Sequence, residues 1–213
     1  MIFDTIKWLF FDVGYTLIDE SASHEKRIND CIEYQRKHYG KVFTYEQIYE
    51  EMCRASAEYR EQFYGAMERL GIRDRTPYPK ELEKPYPDAE YVLKELRKKY
   101  SIGIIANQSA GGKTRLNIFG LGKYISNYIL SAENGIEKPN PEIFKLALAQ
   151  ANCKPENAVM IGDRLDNDIY TAKKLGMKTV HIKQSFGACQ TPKSDNYKAD
   201  VTVNNLTDLL KYF

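Results

Sequence analysis

Ile6-Lys7-Trp8-Leu9-Phe10-Phe11-Asp12-Val13-Gly14-Tyr15-Thr16-Leu17 is the stretch that decides the fold. Its first half, Ile6 to Phe11, reads as a strand buried on both faces, as parallel strands are. It delivers a carboxylate, Asp12, straight into the loop that follows. A buried strand ending in an unpaired Asp is costly unless a metal, a cation or a reaction uses the charge. Far along the chain the pattern returns. Val159-Met160-Ile161 runs into Gly162-Asp163, with Asp166, Asn167 and Asp168 close behind. Adjacent parallel strands bring both acidic ends to one sheet edge, where open α/β folds bind ligands. Clustered carboxylates there make an oxygen-lined site suited to Mg²⁺. The plainer alternative is that each Asp merely caps the helix after it.

The rest of the chain narrows the class. At 213 residues and 43% hydrophobic content it can bury a full core and carry a smaller inserted unit, which excludes a disordered tail. A net charge of +2, with Lys and Arg interleaved among Glu and Asp, gives no basic field, so nucleic acid is not the expected partner. Cys31, Cys53, Cys153 and Cys189 lie far apart without C-x-x-C spacing and read as reduced thiols. No stretch has the length of a membrane span, and the N-terminal residues lack the order of a signal peptide, so the expectation is a cytoplasmic protein without a membrane partner. Nothing in the pattern sets an oligomeric state.

Between Ser23 and Gly71 the strand signals stop. Ile48, Met52, Ala55, Tyr59 and Phe63 recur at spacings of three and four, which predicts one amphipathic helix, preceded by a looser helical segment over Ser23 to Tyr39. Pro77, Pro79, Pro85 and Pro87 then break helices and favour an extended linker. Beyond Pro87, helices and strands alternate. Asp88 is placed to cap a helix through Tyr100, and strands follow at Ile102 to Ala106, Tyr128 to Ser131, Ala158 to Ile161, Thr179 to Ile182 and Val201 to Val203. Helices are predicted to about Phe119, from Pro141 to Ala151, from Asn167 to Leu175 and from Leu206 to Tyr212. Such alternation predicts an α/β fold with a parallel sheet wrapped on both faces. The expected organisation is a core of residues 1–19 and 86–213, with a helical cap over 20–85.

Four segments end predicted strands or begin the neighbouring helices: Asp12-Val13-Gly14-Tyr15-Thr16, Ala106-Asn107-Gln108, Lys138-Pro139-Asn140-Pro141, and Gly162-Asp163 through Asp168. In this order, around a helical insertion, they resemble the four motifs of the haloacid dehalogenase superfamily, helical-cap subfamily. The resemblance covers essentially the whole chain. It implies a Rossmann-like three-layer core with a parallel sheet and an inserted helical cap. It further implies a Mg²⁺-dependent hydrolase, a phosphatase or phosphoryl-transfer enzyme acting on a small phosphorylated metabolite through an aspartyl-phosphate. Asp12 would be the nucleophile, since a carboxylate attacking phosphorus divides one difficult displacement into two. By the same likeness Asp12, the Gly14 carbonyl and Asp163 hold the metal, with Asp168 acting near it or through water. Lys138 orients the nucleophile and holds transferring oxygens, a task suited to a point charge. Asn107 counts as catalytic and substrate-binding, and Thr16, Gln108 and Lys138 as substrate-binding.

Two departures stand out. Ala106 occupies a place where the family has Ser or Thr, and losing one such donor costs roughly 10²–10³ in rate, so Gln108 or Ser109 is expected to substitute. Gly14 stands where family phosphatases carry a second Asp that protonates the leaving alcohol and activates water, assistance worth about 10²–10⁴. Asp19 and Glu20, on the way into the cap, are the candidates to fold back in its place. Three other readings follow from the loss: a catalytically weak or inactive binder of phosphoryl ligands, a halide-cleaving relative, or a phosphonate-cleaving one. Dehalogenases lack the acidic fourth motif that Asp163 and Asp168 supply here. A phosphonatase needs a reactive cap lysine, and nothing singles out Lys26, Lys37 or Lys41. The cap tyrosines Tyr39, Tyr45, Tyr49, Tyr59 and Tyr64 read mostly as packing residues, and Arg54 and Arg60 as solvated ion pairs.

Overall fold

A computed structural model describes residues 3–73 and 76–213; Met1, Ile2, Asp74 and Arg75, inside the expected core and cap ranges, lie outside the described residues. In chain order the elements are β1 (Trp8–Phe11), β2 (Ile18–Asp19), α1 (Ser21–Tyr39), α2 (Tyr45–Ala57), α3 (Gln62–Arg69), β3 (Lys84–Pro85) and α4 (Ala89–Leu96). Then follow β4 (Ser101–Ala106), α5 (Gly112–Ile118), β5 (Asn127–Leu130), the short α6 (Ser131–Asn134), α7 (Pro141–Gln150), β6 (Ala158–Gly162), α8 (Tyr170–Lys174), β7 (Lys178–Ile182) and β8 (Val201–Val203).

Six strands form one sheet in the order β5-β4-β1-β6-β7-β8, with every pairing parallel. Period-two alternation divides its side chains between two cores. Leu9, Phe11, Ile104 and Ile161 pack with Val92, Leu93 and Leu96 of α4 on one face. Phe10, Ile105 and Met160 pack with Ile143, Phe144 and Ala147 of α7 on the other. These residues are 0–2% exposed, and burying each large apolar side chain stabilises by roughly 1.5–3 kcal/mol. The result is the expected Rossmann-like α/β core of helix, sheet and helix. The register matters most for function: Phe11 pairs with Ile104 on one side and with Ile161 on the other. The residues following β1 and β6 therefore emerge side by side.

Helices α1 to α3 form a third apolar cluster, with Ile28, Ile48, Met52, Phe63 and Ala66 buried among one another. Thr44 opens α2 with a reciprocal capping box, accepting from the Gln47 N–H while the Gln47 side chain accepts from its own. The strands β2 and β3 pair antiparallel as a two-stranded ribbon, Ile18 against Pro85 and Asp19 against Lys84, so the chain enters and leaves the helical insertion at one place.

Several local expectations are corrected. The series Ile48 to Phe63 is two helices, because Tyr59 takes a left-handed φ of 69° and Glu61 starts a new helix by accepting from the Tyr64 N–H at 2.6 Å. The apolar spacing continues because both helices bury the same face. Asp88 makes no cap hydrogen bond; its carboxylate accepts instead from the backbone N–H and hydroxyl of Thr207. The predicted helix at 167–175 divides into a π-turn, Leu165–Ile169, and the short α8. The predicted last helix is a 3₁₀ turn, Thr207–Lys211.

Candidate active site

The loops after β1, β4 and β6 meet at the carboxyl edge of the sheet. Asp12 follows β1, its N–H donating to the Ile161 carbonyl at 2.9 Å, and Asp163 follows β6. Asp168 stands in the π-turn, a backbone form frequent at functional sites, where its Oδ2 accepts from the Arg164 N–H at 3.0 Å. Gly162 permits this close approach: a Cβ there would lie 2.2 Å from Asp168 Oδ2. One carboxylate oxygen from each of Asp12, Asp163 and Asp168 lies within 4.8 Å of the others.

Lys138 enters from the loop before α7. Its Nζ donates to Asp12 Oδ1 at 2.6 Å and to Asp168 Oδ1 at 2.5 Å, with its side chain 2% exposed. Burial pulls its pKa down, but Asp12 and Asp168 outweigh burial, raise it and hold the side chain as an ammonium. Asp163, 4% exposed, is pushed well above the usual carboxylate range by burial and then by Asp12 and Asp168. Burial likewise raises Asp168 to about 6, against the pull of Lys138. Two buried acids and the half-buried Asp12 thus face one ammonium. Each uncompensated buried ion costs several kcal/mol, so this all-oxygen set matches a hard divalent cation.

Asn107, after β4, spends its amide on the lysine's backbone: Nδ2 donates to the Lys138 carbonyl at 2.8 Å, and Oδ1 accepts from the Lys138 N–H at 2.7 Å. It lines the cleft with both ends of its amide bonded to the Lys138 backbone. The Gln108 side-chain oxygen is held by Arg115, and Ser109 bonds Lys80 in a side arm of the cleft. Thr16 is fully buried, its hydroxyl has no partner among the described residues, and it is not part of the cleft wall.

The cleft encloses about 510 Å³. Besides Asp12, Gly14, Asn107, Gln108, Lys138, Asp163 and Asp168, its walls include Glu20, Glu61, Gln62, Arg164 and Phe186. Arg164 joins the core to the helical insertion, donating to Asp166 at 2.7 Å, to Gln62 Oε1 at 3.1 Å and to the Arg60 carbonyl at 3.1 Å. Phe186, in a 3₁₀ turn beyond β7, packs into the insertion's own core. Neither is marked as a site residue by any sequence motif. The signal available was positional, because the loop after every strand ends at the same edge. Tyr15 lines the cleft at a left-handed φ of 49°, and burial pushes its phenol upward, which keeps it protonated at neutral pH. Of the insertion's tyrosines Tyr39, Tyr45, Tyr49, Tyr59 and Tyr64, and of Lys26, Lys37 and Lys41, none lines the cleft. Arg54 pairs with Glu51 and Arg60 with Glu68, both at the surface.

Glu20 precedes α1 in the N-cap position, yet its side chain makes no cap hydrogen bond. The carboxyl turns back over Gly14, 15% exposed and 4.0 Å from His24 Nε2. Burial, then Glu83 and Asp12, push it up to about 8.

Among the described residues, no helix is long and apolar enough to cross a membrane. The family model of the haloacid dehalogenase-like hydrolases matches residues 6–176. A glyceraldehyde 3-phosphate phosphatase of Pyrococcus furiosus is 32% identical over 97% of this chain and 92% of its own length. A phosphoserine phosphatase of Thermus thermophilus is 29% identical over 65% of this chain and 53% of its own. Among solved structures, a HAD phosphatase from Thermococcus onnurineus superposes with a TM-score of 0.69 at 23% identity, covering 97% of both chains. A 2-haloacid dehalogenase from Pseudomonas syringae gives 0.64 at 21%, also over 97% of both. Likeness of fold therefore spans both chemistries, and the site must discriminate between them.

Proposed function

We propose, from the premise that this chain belongs to the haloacid dehalogenase-like hydrolase family and is a hydrolase, that it removes phosphate from a small phosphorylated metabolite through an aspartyl-phosphate on Asp12. The observation that carries this reading is the buried cluster in which Lys138 bridges Asp12 and Asp168 beside Asp163. A carbon–halogen cleaving enzyme has no need of the two further carboxylates. They suit a divalent cation, and Asp12, Asp163 and the Gly14 carbonyl would hold Mg²⁺, with Asp168 near it or through water. When bound, the ion offsets the repulsion between the nucleophile and the anionic phosphoryl group.

The chain's own residues do the rest. Lys138 fixes the Asp12 carboxylate through Oδ1, in the wall of the cleft. Its ammonium is also close enough to pair with a transferring phosphoryl oxygen, and Asn107 keeps it there by gripping both sides of its backbone. The division into core (1–19 and 86–213) and cap (20–85) at the β2–β3 ribbon belongs to the same reading, with the insertion closing the cleft over its substrate. Glyceraldehyde 3-phosphate and phosphoserine, named for relatives, are the reason to begin a substrate panel with three-carbon phosphates.

The test is phosphate release from p-nitrophenyl phosphate, acetyl phosphate and such a panel, with and without Mg²⁺. Release that needs the metal and disappears in Asp12→Asn is expected. Undiminished release by Asp12→Asn would refute the covalent role, and thermal stabilisation by substrates without turnover would mark a binding protein.

A further inference from the structure

The sequence lacks a carboxylate at position 14, and the structure fills that space from elsewhere. A Cβ built on Gly14 would lie 2.6 Å from Glu20 Oε1, 3.1 Å from its Cδ and 3.2 Å from its Oε2. The glutamate carboxyl thus occupies the volume that a side chain at position 14 would enter. It also lines both the main cleft and its side arm.

The ordinary duties of a glutamate at this position are taken by others or left undone. Glu20 does not cap α1, and the Ser21 N–H is taken by Asp19 Oδ1 at 2.9 Å. Among the described residues its one ion-pair contact is His24 at 4.0 Å, beyond hydrogen-bond reach. A carboxyl held in a cleft without a hydrogen bond among the described residues is available to a ligand. Of the other acids, Glu61 caps α3, Glu83 pairs with Arg115 in the side arm and Asp19 is not part of the cleft wall, while Glu137 lines the cleft as an exposed residue and does not fill the space over Gly14.

The geometry points to Glu20 as the general acid and base of this enzyme, the replacement for the missing carboxylate at position 14. The inference rests on the phosphatase reading. In the first step Asp12 Oδ bonds to phosphorus and the ester P–O bond breaks. That bond's electron pair stays on the leaving oxygen, which takes the proton of the Glu20 carboxyl and departs as the alcohol. In the second, the Glu20 carboxylate accepts a proton from water as the water oxygen bonds to phosphorus. The P–O bond to Asp12 breaks, its electron pair returns to the Asp12 carboxylate, and inorganic phosphate leaves. Glu20 regains its proton, and the sum is ester plus water giving alcohol plus phosphate.

Two substrates separate the steps. Glycerol 3-phosphate has a poor leaving group and needs the acid, whereas p-nitrophenyl phosphate expels nitrophenolate without one. Glu20→Gln keeps the shape of the side chain and removes its acid–base capacity. Its steady-state turnover of glycerol 3-phosphate is expected to fall by about 10²–10⁴. With p-nitrophenyl phosphate it should release a burst of nitrophenolate approaching one per active site, then stall with phosphate on the protein, visible by intact mass. Adding Gly14→Asp to Glu20→Ala, which empties the volume that the glutamate fills, should restore turnover of both substrates. Wild-type steady-state rates in Glu20→Gln would overturn the assignment. So would a folded Glu20→Gln protein, judged by an unchanged melting temperature, that shows neither burst nor phosphorylated enzyme. A wild type inert toward every phosphate ester would fail the phosphatase reading itself and take this assignment with it.

Discussion

Position 14 illustrates what single residues reveal. That Gly14 removes a carboxylate is legible from its spacing to Asp12; that Glu20 refills the space is not. The intervening residues include a left-handed Tyr15 and the two-residue strand β2, and only their backbone path decides which of Asp19 and Glu20 turns inward. Asn107 was equally opaque, since its bond partners are the backbone atoms of a residue 31 positions away. His24 carries a residue-scale prediction. It is boxed by Tyr15, Tyr78 and Phe186, with Glu20 at 4.0 Å, and burial, aided by Arg27, lowers it from 6.5 to about 4. A depressed pKa means that the unfolded chain takes up a proton before the folded protein does. Its stabilising contribution is therefore complete above pH 6.5 and is lost as pH falls toward 4, by up to about 3 kcal/mol. Urea denaturation across that range should show a steeper loss for wild type than for His24→Phe; parallel curves would contradict a neutral buried imidazole.

At the scale of elements, strands were easier to read than helix ends. Apolar runs marked β1, β4 and β6 because parallel strands bury both faces. The helical stretch from Ile48 to Phe63 misled because apolar periodicity records which face is buried and not whether the backbone between is continuous. The break at Tyr59 has no Gly or Pro to announce it; its hydroxyl donates to the Thr191 carbonyl at 2.9 Å, a contact that only the folded chain supplies. Thr44, by contrast, is a sequence-encoded start. Thr44→Ala removes the capping box at an exposed site and should lower unfolding free energy by about 1 kcal/mol, measured by chemical denaturation. No change would mean that packing of α2 alone fixes where it begins.

The whole molecule depends on how the helical insertion sits on the core. Ser56 Oγ donates to the Phe186 carbonyl at 2.7 Å, Gln190 Nε2 to the Ser56 carbonyl at 3.1 Å, and Arg164 to Gln62 and Arg60. These contacts join residues far apart along the chain and no local pattern encodes them, so the cleft's upper wall was the least legible region of the site. Arg164→Ala should loosen this seam while sparing the sheet. Hydrogen exchange is expected to quicken in α3 and stay slow in β1 and β6, whereas a uniform rise would indicate general destabilisation. The β2–β3 ribbon gives the seam a further meaning. Because both connections run side by side there, any rocking of the insertion pivots on a single axle, and Glu20, the residue just after β2, is bolted to the side that swings. On the proposed roles of Asp12 and Glu20, a door hung this way would bring the proton carrier to the phosphoryl group on shutting and take it away on opening, so that solvent entering an open cleft would find the covalent intermediate without its base.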